Sequence, residues 1–237
     1  MVITEPRARR AVKGHRSEQR VESLLAVARE VFSERGYART TTLEIAQRLS
    51  ISEATVFSYF GSKRELCMEV IRRWYDEIST ELEREVPLRS NVRHALEFAI
   101  RKHLSQLIEE GAGLCALVLS EGRIADAAFM QLIAQLKRRY IAPLMRTIES
   151  ARATGEVRSD IPLHLQRDMI YGSMEHVLWG YINSGRKPDI QSTAAQLSDL
   201  LWTAFAPPQR SLDALMRFRT EVVGAVKVLE SESQAVH

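Results

Sequence analysis

The chain has 237 residues, 45% of them hydrophobic and 27% charged, with a net charge of +3. These are ordinary globular values, and with 11 Gly and 7 Pro they exclude a wholly disordered or collagen-like chain. No apolar run approaches the ~18 residues of a membrane helix, and Met1–Arg7 lacks an apolar stretch behind its basic residues, so neither a membrane span nor a secretory signal is expected.

The charge is unevenly placed. Residues 1–75 hold 14 Lys and Arg against 9 Asp and Glu, and residues 1–20 hold 6 against 2. A basic N-terminal part on a nearly neutral body points to a polyanion partner at one end of the molecule, with a solvated leader as the alternative. Cys67 and Cys115 stand far apart and in no metal spacing. No disulfide, metal site or cofactor is therefore expected, and a reducing cytoplasm fits best.

Taken in chain order, residues 1–16 have no apolar period and read as a flexible basic arm. Val21, Leu24, Leu25, Ala28, Val31 and Phe32 then recur at helical spacing and predict a helix over 17–35, ended at Gly36. Thr41 and Glu44 form a capping-box pair before Leu43, Ile45, Ala46 and Leu49, which predicts a two-turn helix over 41–48. Ser52 caps the next helix, Ile51 and Val56 can staple its entry, and it ends near Phe60-Gly61. Ser62 and Glu65 open a long fourth helix carrying Leu66, Val70, Ile71, Trp74, Ile78 and Leu82 to about Val86. Further helices are predicted over 88–110, 114–125, 126–153 (kinked at Pro143), 162–184, 191–206 and 209–230. No strand and no repeat is evident. The fold class is all-α, divided into the arm, a helix-turn-helix domain over 17–62 and a helical domain over 63–237.

Helix one and the two short helices that follow it within residues 17–60 have the layout of a helix-turn-helix, whose second short helix enters the DNA major groove. In that helix Val56 and Phe60 are four apart and face inward. Glu53, Ala54, Thr55, Ser58 and Tyr59 are left outward, most of them short and several with hydroxyls that suit close approach to bases and backbone. Ser52 caps it. Lys63 follows as a point charge for a phosphate, as do Arg16 and Arg20, and Thr41 and Thr42 offer hydroxyls and free N–H groups to another.

The stretch Gly36-Tyr-Ala-Arg-Thr-Thr-Thr-Leu-Glu-Ile-Ala46, then Ile51-Ser-Glu-Ala-Thr-Val-Phe-Ser-Tyr-Phe60, then Ser62-Lys63 and Leu66, resembles the DNA-binding domain of TetR-family transcriptional regulators. The match covers about residues 17–70. It implies a homodimer with a C-terminal ligand domain, which represses transcription until a small molecule binds. Two positions depart from the family's pattern. Ser50 stands where members carry Gly in the turn, at a cost of order 1 kcal/mol if it is left-handed. Phe57 stands where members carry Tyr, so a phosphate contact through the hydroxyl is lost and Tyr59 is the candidate to replace it. The segments Leu119–Arg123, Arg138–Tyr140 and Asp168–His176 are similar to the fatty-acid- and acyl-CoA-responsive branch of the family, which implies an acyl-CoA effector.

A ligand pocket in a helical bundle is mostly apolar with a few convergent polar groups. The candidates are His103, Glu121, Arg123, Tyr140, Glu175, His176 and Trp179. Each has a plainer reading as a hydrogen-bonded histidine, an interhelix ion pair or core packing. Arg138 and Arg139 suit the phosphates of a CoA-like ligand or a solvated face. Met68, Met130, Met145, Met169 and Met174 are adaptable fillers for a core or a greasy pocket. The doublets over 162–184 make a face too wide for one seam within the chain. Met174, Val177, Leu178 and Tyr181, with Leu197, Leu200, Leu201 and Ala204, are expected to build a four-helix dimer interface.

The expected function is thus a DNA-binding, ligand-responsive regulator of a palindromic operator. The alternatives are an all-helical adaptor without DNA binding or an all-helical enzyme. No nucleophile elbow, phosphate loop, paired-carboxylate signature or metal-spaced set supports the enzyme.

Overall fold

The computed structural model describes residues 14–110, 127–207 and 215–224, and among these every regular element is helical. The predicted helix over 114–125, and all but the last residues of the predicted arm, lie outside the described residues.

α1 spans His15–Arg39, two residues earlier and four later than its hydrophobic period. Gly36 takes φ 72 inside it, so the chain turns where the sequence places a left-handed residue, and the helix resumes for one turn beyond. α2 (Thr42–Arg48) and α3 (Glu53–Tyr59) follow. Thr41 caps α2 by accepting from the Glu44 N–H at 3.2 Å, and Ser52 caps α3 by accepting from the Thr55 N–H at 3.2 Å. The Glu44 carboxylate does not return to its own cap. It pairs with Arg35 at 3.0 Å and Arg48 at 3.4 Å, pinning α2 to α1. The turn between α2 and α3 passes through Ser50 at φ 52, the only left-handed non-glycine among the described residues.

α4 (Lys63–Glu85) begins at a Ser62 cap and buries Leu66, Val70, Ile71, Trp74, Ile78 and Leu82 along one face. A 3₁₀ turn over Val86–Leu88 leads to α5 (Val92–Ser105), which ends in a π-helical turn over Gln106–Glu110. α6 (Ala127–Thr154) continues through the buried Pro143 without terminating. α7 (Leu163–Ser184) ends at Gly185 with φ 68, and α8 (Ile190–Phe205) starts from an Asp189 cap. Residues 215–224 form a further exposed helix within the expected 209–230.

Leu24, Ala28, Val31, Phe32, Ile45, Ala46, Val56 and Leu66 close the small N-terminal core. Truncating a side chain as buried as Phe32 costs about 3–5 kcal/mol. In the larger bundle α4 packs on α6, and α5 packs on both α6 and α8. Arg139 fixes the first of these contacts, donating to Asp76 at 2.6 Å and to both oxygens of Glu83 at 2.9 Å. α1 is tied to α4 by Arg29–Glu77 at 2.9 Å and by Arg73–Glu22. No helix among the described residues is long and apolar enough to cross a membrane.

Candidate functional site

Two places carry chemistry: the outer face of α2 and α3, and a cavity in the larger bundle.

On α3, Val56 and Phe60 are buried, as their spacing requires. The outward residues divide into two kinds. Ala54 and Phe57 are exposed, Phe57 at 45%. The others are half-buried and already engaged. Thr55 Oγ1 lies 2.9 Å from Ser52 Oγ, Ser58 Oγ donates to the Thr55 carbonyl at 2.7 Å, and Tyr59 packs against the core. Tyr59 therefore does not stand free in place of Phe57, and the exposed aromatic of this helix is Phe57 itself. Glu53 accepts from Thr42 Oγ1 at 2.6 Å, which joins α2 to α3.

Two expected phosphate contacts are corrected by this packing. Thr42 is buried and its hydroxyl is spent on Glu53, so of the two threonines only Thr41 is exposed. Lys63 reaches back instead of outward. Its ammonium donates to the Tyr37 and Thr40 carbonyls, both at 2.9 Å, and sits 4.3 Å from the Tyr37 ring centroid. These are the carbonyls left open where α1 ends, so Lys63 caps that helix terminus. Arg16 and Arg20 are exposed on the first turns of α1.

The cavity has a volume of about 510 Å³ and lies among α4, α5, α6 and α7. Its inner wall is a run of rings on four helices. Trp74 meets Tyr75 edge-on at 5.2 Å between centroids, Tyr75 meets Tyr140 at 6.0 Å, and His103 lies 5.4 Å from Tyr140 and 5.6 Å from Tyr171. Ile78, Leu107 and Leu178 add apolar surface. His103 Nδ1 is hydrogen-bonded to the Tyr140 hydroxyl. Burial, with the nearby Lys137 charge, lowers the His103 pKa to about 3, and burial raises that of Tyr171, so both rings are neutral. At the solvent side α6 supplies Lys137 and Arg138 and α7 supplies Arg167, Asp168 and Glu175. Lys137 and Glu175 pair across the opening at 3.3 Å.

Of the expected ligand residues, His103, Tyr140 and Glu175 come together here. His176 is exposed and Trp179 half-buried, and neither lines the cavity; His176 follows Glu175 directly and so turns about 100° away from it. Glu121 and Arg123 lie outside the described residues. None of the five methionines lines the cavity, and Met130 and Met169 are exposed. Trp74, Tyr75 and Tyr171 went unrecognised in the sequence, where they carry only the inward period of their helices.

The expected dimer face is corrected in part. Met174, Leu178 and Leu201 are buried within this chain, on the stripe that α7 and α8 turn toward the other helices. Val177, Tyr181, Leu197 and Ala204 are half-buried, and Leu200 is 68% exposed.

Residues 24–70 match the bacterial regulatory proteins of the tetR family, and residues 71–204 match the C-terminal region of YsiA-like proteins. The chain is 21% identical over 178 residues to the fatty acid metabolism regulator protein of Bacillus subtilis (strain 168), covering 75% of this chain and 91% of that relative. Its fold is similar to the transcriptional regulator FadR from Bacillus subtilis in complex with stearoyl-CoA. The TM-score is 0.69 at 20% identity, over 76% of this chain and 96% of that one. It is similar also to the fatty acid degradation regulator FadR from Bacillus halodurans, with a TM-score of 0.68 at 18% identity, over 76% and 97% of the two chains.

Proposed function

We propose that this chain, which belongs to the tetR family of bacterial regulatory proteins, is a repressor that holds a palindromic operator as a homodimer and releases it when a hydrophobic small molecule fills the cavity. The first candidate for that molecule is a fatty acyl-CoA. The chain is a DNA-binding transcriptional regulator with an N-terminal helix-turn-helix and a helical C-terminal domain.

The observation that carries the proposal is the position of α4. Its first turn caps α1 through Lys63, and eleven residues on, about 17 Å along the axis, Trp74 and Tyr75 form the cavity wall. A ligand that displaces the wall residues moves a rod whose other end holds the DNA-binding helices. The FadR of known structure carries stearoyl-CoA, and the cationic rim here, three cations against two carboxylates, suits an anionic head group. For DNA, Arg16 and Arg20 serve phosphates, Thr41, Ser52, Glu53, Ala54, Thr55 and Ser58 supply the polar and close-approach surface, and Phe57 offers apolar contact to a thymine methyl. Half-sites are expected about one helical turn, roughly 34–36 Å, apart. Operator fragments held by the full-length protein and titrated with acyl-CoAs of several chain lengths test this reading. Release is the expected result, and retention at every chain length removes acyl-CoA.

A further inference from the structure

A neutral imidazole has one nitrogen that donates and one that accepts. His103 Nδ1 is committed to the Tyr140 hydroxyl, and Nε2 is buried without a hydrogen-bond partner. If Nδ1 accepts the phenol proton, Nε2 carries an unpaired N–H; if Nδ1 donates, Nε2 carries an unpaired lone pair. Either tautomer leaves a polar atom unmet in the interior, which opposes folding, and a site selected only for packing would hold Phe or Leu. The residue nonetheless lines the cavity from α5, 6% exposed.

The ring stays neutral in its surroundings, so it is no cation for a carboxylate or phosphate. Those groups have Lys137, Arg138 and Arg167 at the rim. The group that suits Nε2 is an uncharged oxygen brought against it by the effector. A hydroxyl serves both tautomers, since it donates and accepts.

We propose that His103 sets effector specificity by bonding an oxygen carried on the hydrophobic body of the effector, so that this chain answers to oxygenated acyl chains, hydroxyacyl thioesters first, in preference to plain saturated ones. The proposal rests on the acyl-CoA reading above and adds a polar station at His103 in the same cavity. A site that hydrogen-bonds a substrate hydroxyl rejects the analogue lacking it far more strongly than a greasy pocket rejects one methylene.

The test is calorimetry on the full-length protein with palmitoyl-CoA and with 16-carbon hydroxyacyl-CoAs whose hydroxyl is moved along the chain. One hydroxyl position is expected to bind at least about tenfold tighter than palmitoyl-CoA, and His103→Phe to abolish that advantage, bringing the ratio of the two affinities to about one. Equal affinity for all the thioesters in the wild type, or an equal loss for all in His103→Phe, overturns the proposal, since His103 then serves packing or the shared head group. Thermal melts of the ligand-free protein provide an independent arm. Replacing the pair, in His103→Phe/Tyr140→Phe, is expected to raise Tm by about 2–4 °C, because an unmet polar atom is removed. A fall in Tm, or failure to fold, makes the pair structural and also overturns the proposal. No signal with any thioester removes acyl-CoA as effector and overturns the proposal with it, whereas binding of palmitoyl-CoA without a preference among the hydroxyacyl-CoAs overturns the proposal alone.

Discussion

Phe57 and His103 are the two residues whose environments say most. Phe57 keeps nearly half its surface in water on the face of α3 turned away from the core. Covering the rest against DNA is worth about half the 1.5–3 kcal/mol of a fully buried Phe, so Phe57→Ala is expected to weaken operator binding by roughly fivefold or more. Because Phe57 stands outside the buried core, the Tm of the variant should change little, and a large loss of thermal stability would move Phe57 into the core instead. His103 carries a pH signature. Its pKa is 6.5 when unperturbed and about 3 in the folded chain. Between those values the unfolded state binds a proton that the folded state refuses. Stability therefore rises with pH through this window and is lost as pH falls below 6.5, by up to about 1.4 kcal/mol per pH unit. Melts at pH 7 and pH 5 should show wild type losing more than His103→Phe; parallel losses would mean that the ring is more solvated than its packing indicates.

At the scale of elements, two junctions decide the helix-turn-helix. Lys63 satisfies the carbonyls at the end of α1, so Lys63→Met should cost about 1–3 kcal/mol of stability. The slope of log affinity against log salt should be unchanged for the variant, whereas a slope reduced by about 1 would restore Lys63 as a phosphate contact. Ser50 holds φ 52 in the α2–α3 turn, so Ser50→Gly should stabilise by up to about 1 kcal/mol in denaturant melts. These junctions also show what could be read in advance. The Thr41 and Ser52 caps and the inward pair Val56 and Phe60 depend on neighbours within a few residues and were legible, and the strain at Ser50 was legible from the family's glycine at that position. The cavity was legible only in part. His103, Tyr140 and Glu175 stood among the candidates, but Trp74, Tyr75 and Tyr171 did not, because which inward side chains enclose a space is settled only by how four helices pack. For the same reason Lys63 read as a surface charge, because its partners, Tyr37 and Thr40, lie 26 and 23 residues away. Met174 and Leu178 read as a dimer seam because periodicity does not say which half of a wide apolar face its own chain covers.

For the whole molecule, two-fold association and coupling through α4 are the remaining expectations. The outer side of α7 and α8 leaves Leu165, Met169 and Leu200 exposed beside half-buried Val177 and Leu197, which suits a four-helix seam between two copies. Leu200→Asp is expected to give monomers or aggregates in light scattering, and a wild type that is already a stable monomer would contradict the dimer. Coupling has a stricter consequence. An effector that lowers operator affinity must prefer the state that does not bind DNA, and a coupling of about 1–3 kcal/mol changes affinity 5–150-fold. By linkage, the operator must weaken effector binding by the same factor. The direct measurement is calorimetry of the acyl-CoA that releases the operator, with and without saturating operator DNA. The result in accord with a ligand-controlled regulator is an effector affinity lowered by DNA by the same factor that effector lowers DNA affinity. Equal effector affinity in the two titrations would contradict it, and would leave the cavity uncoupled from the helix-turn-helix.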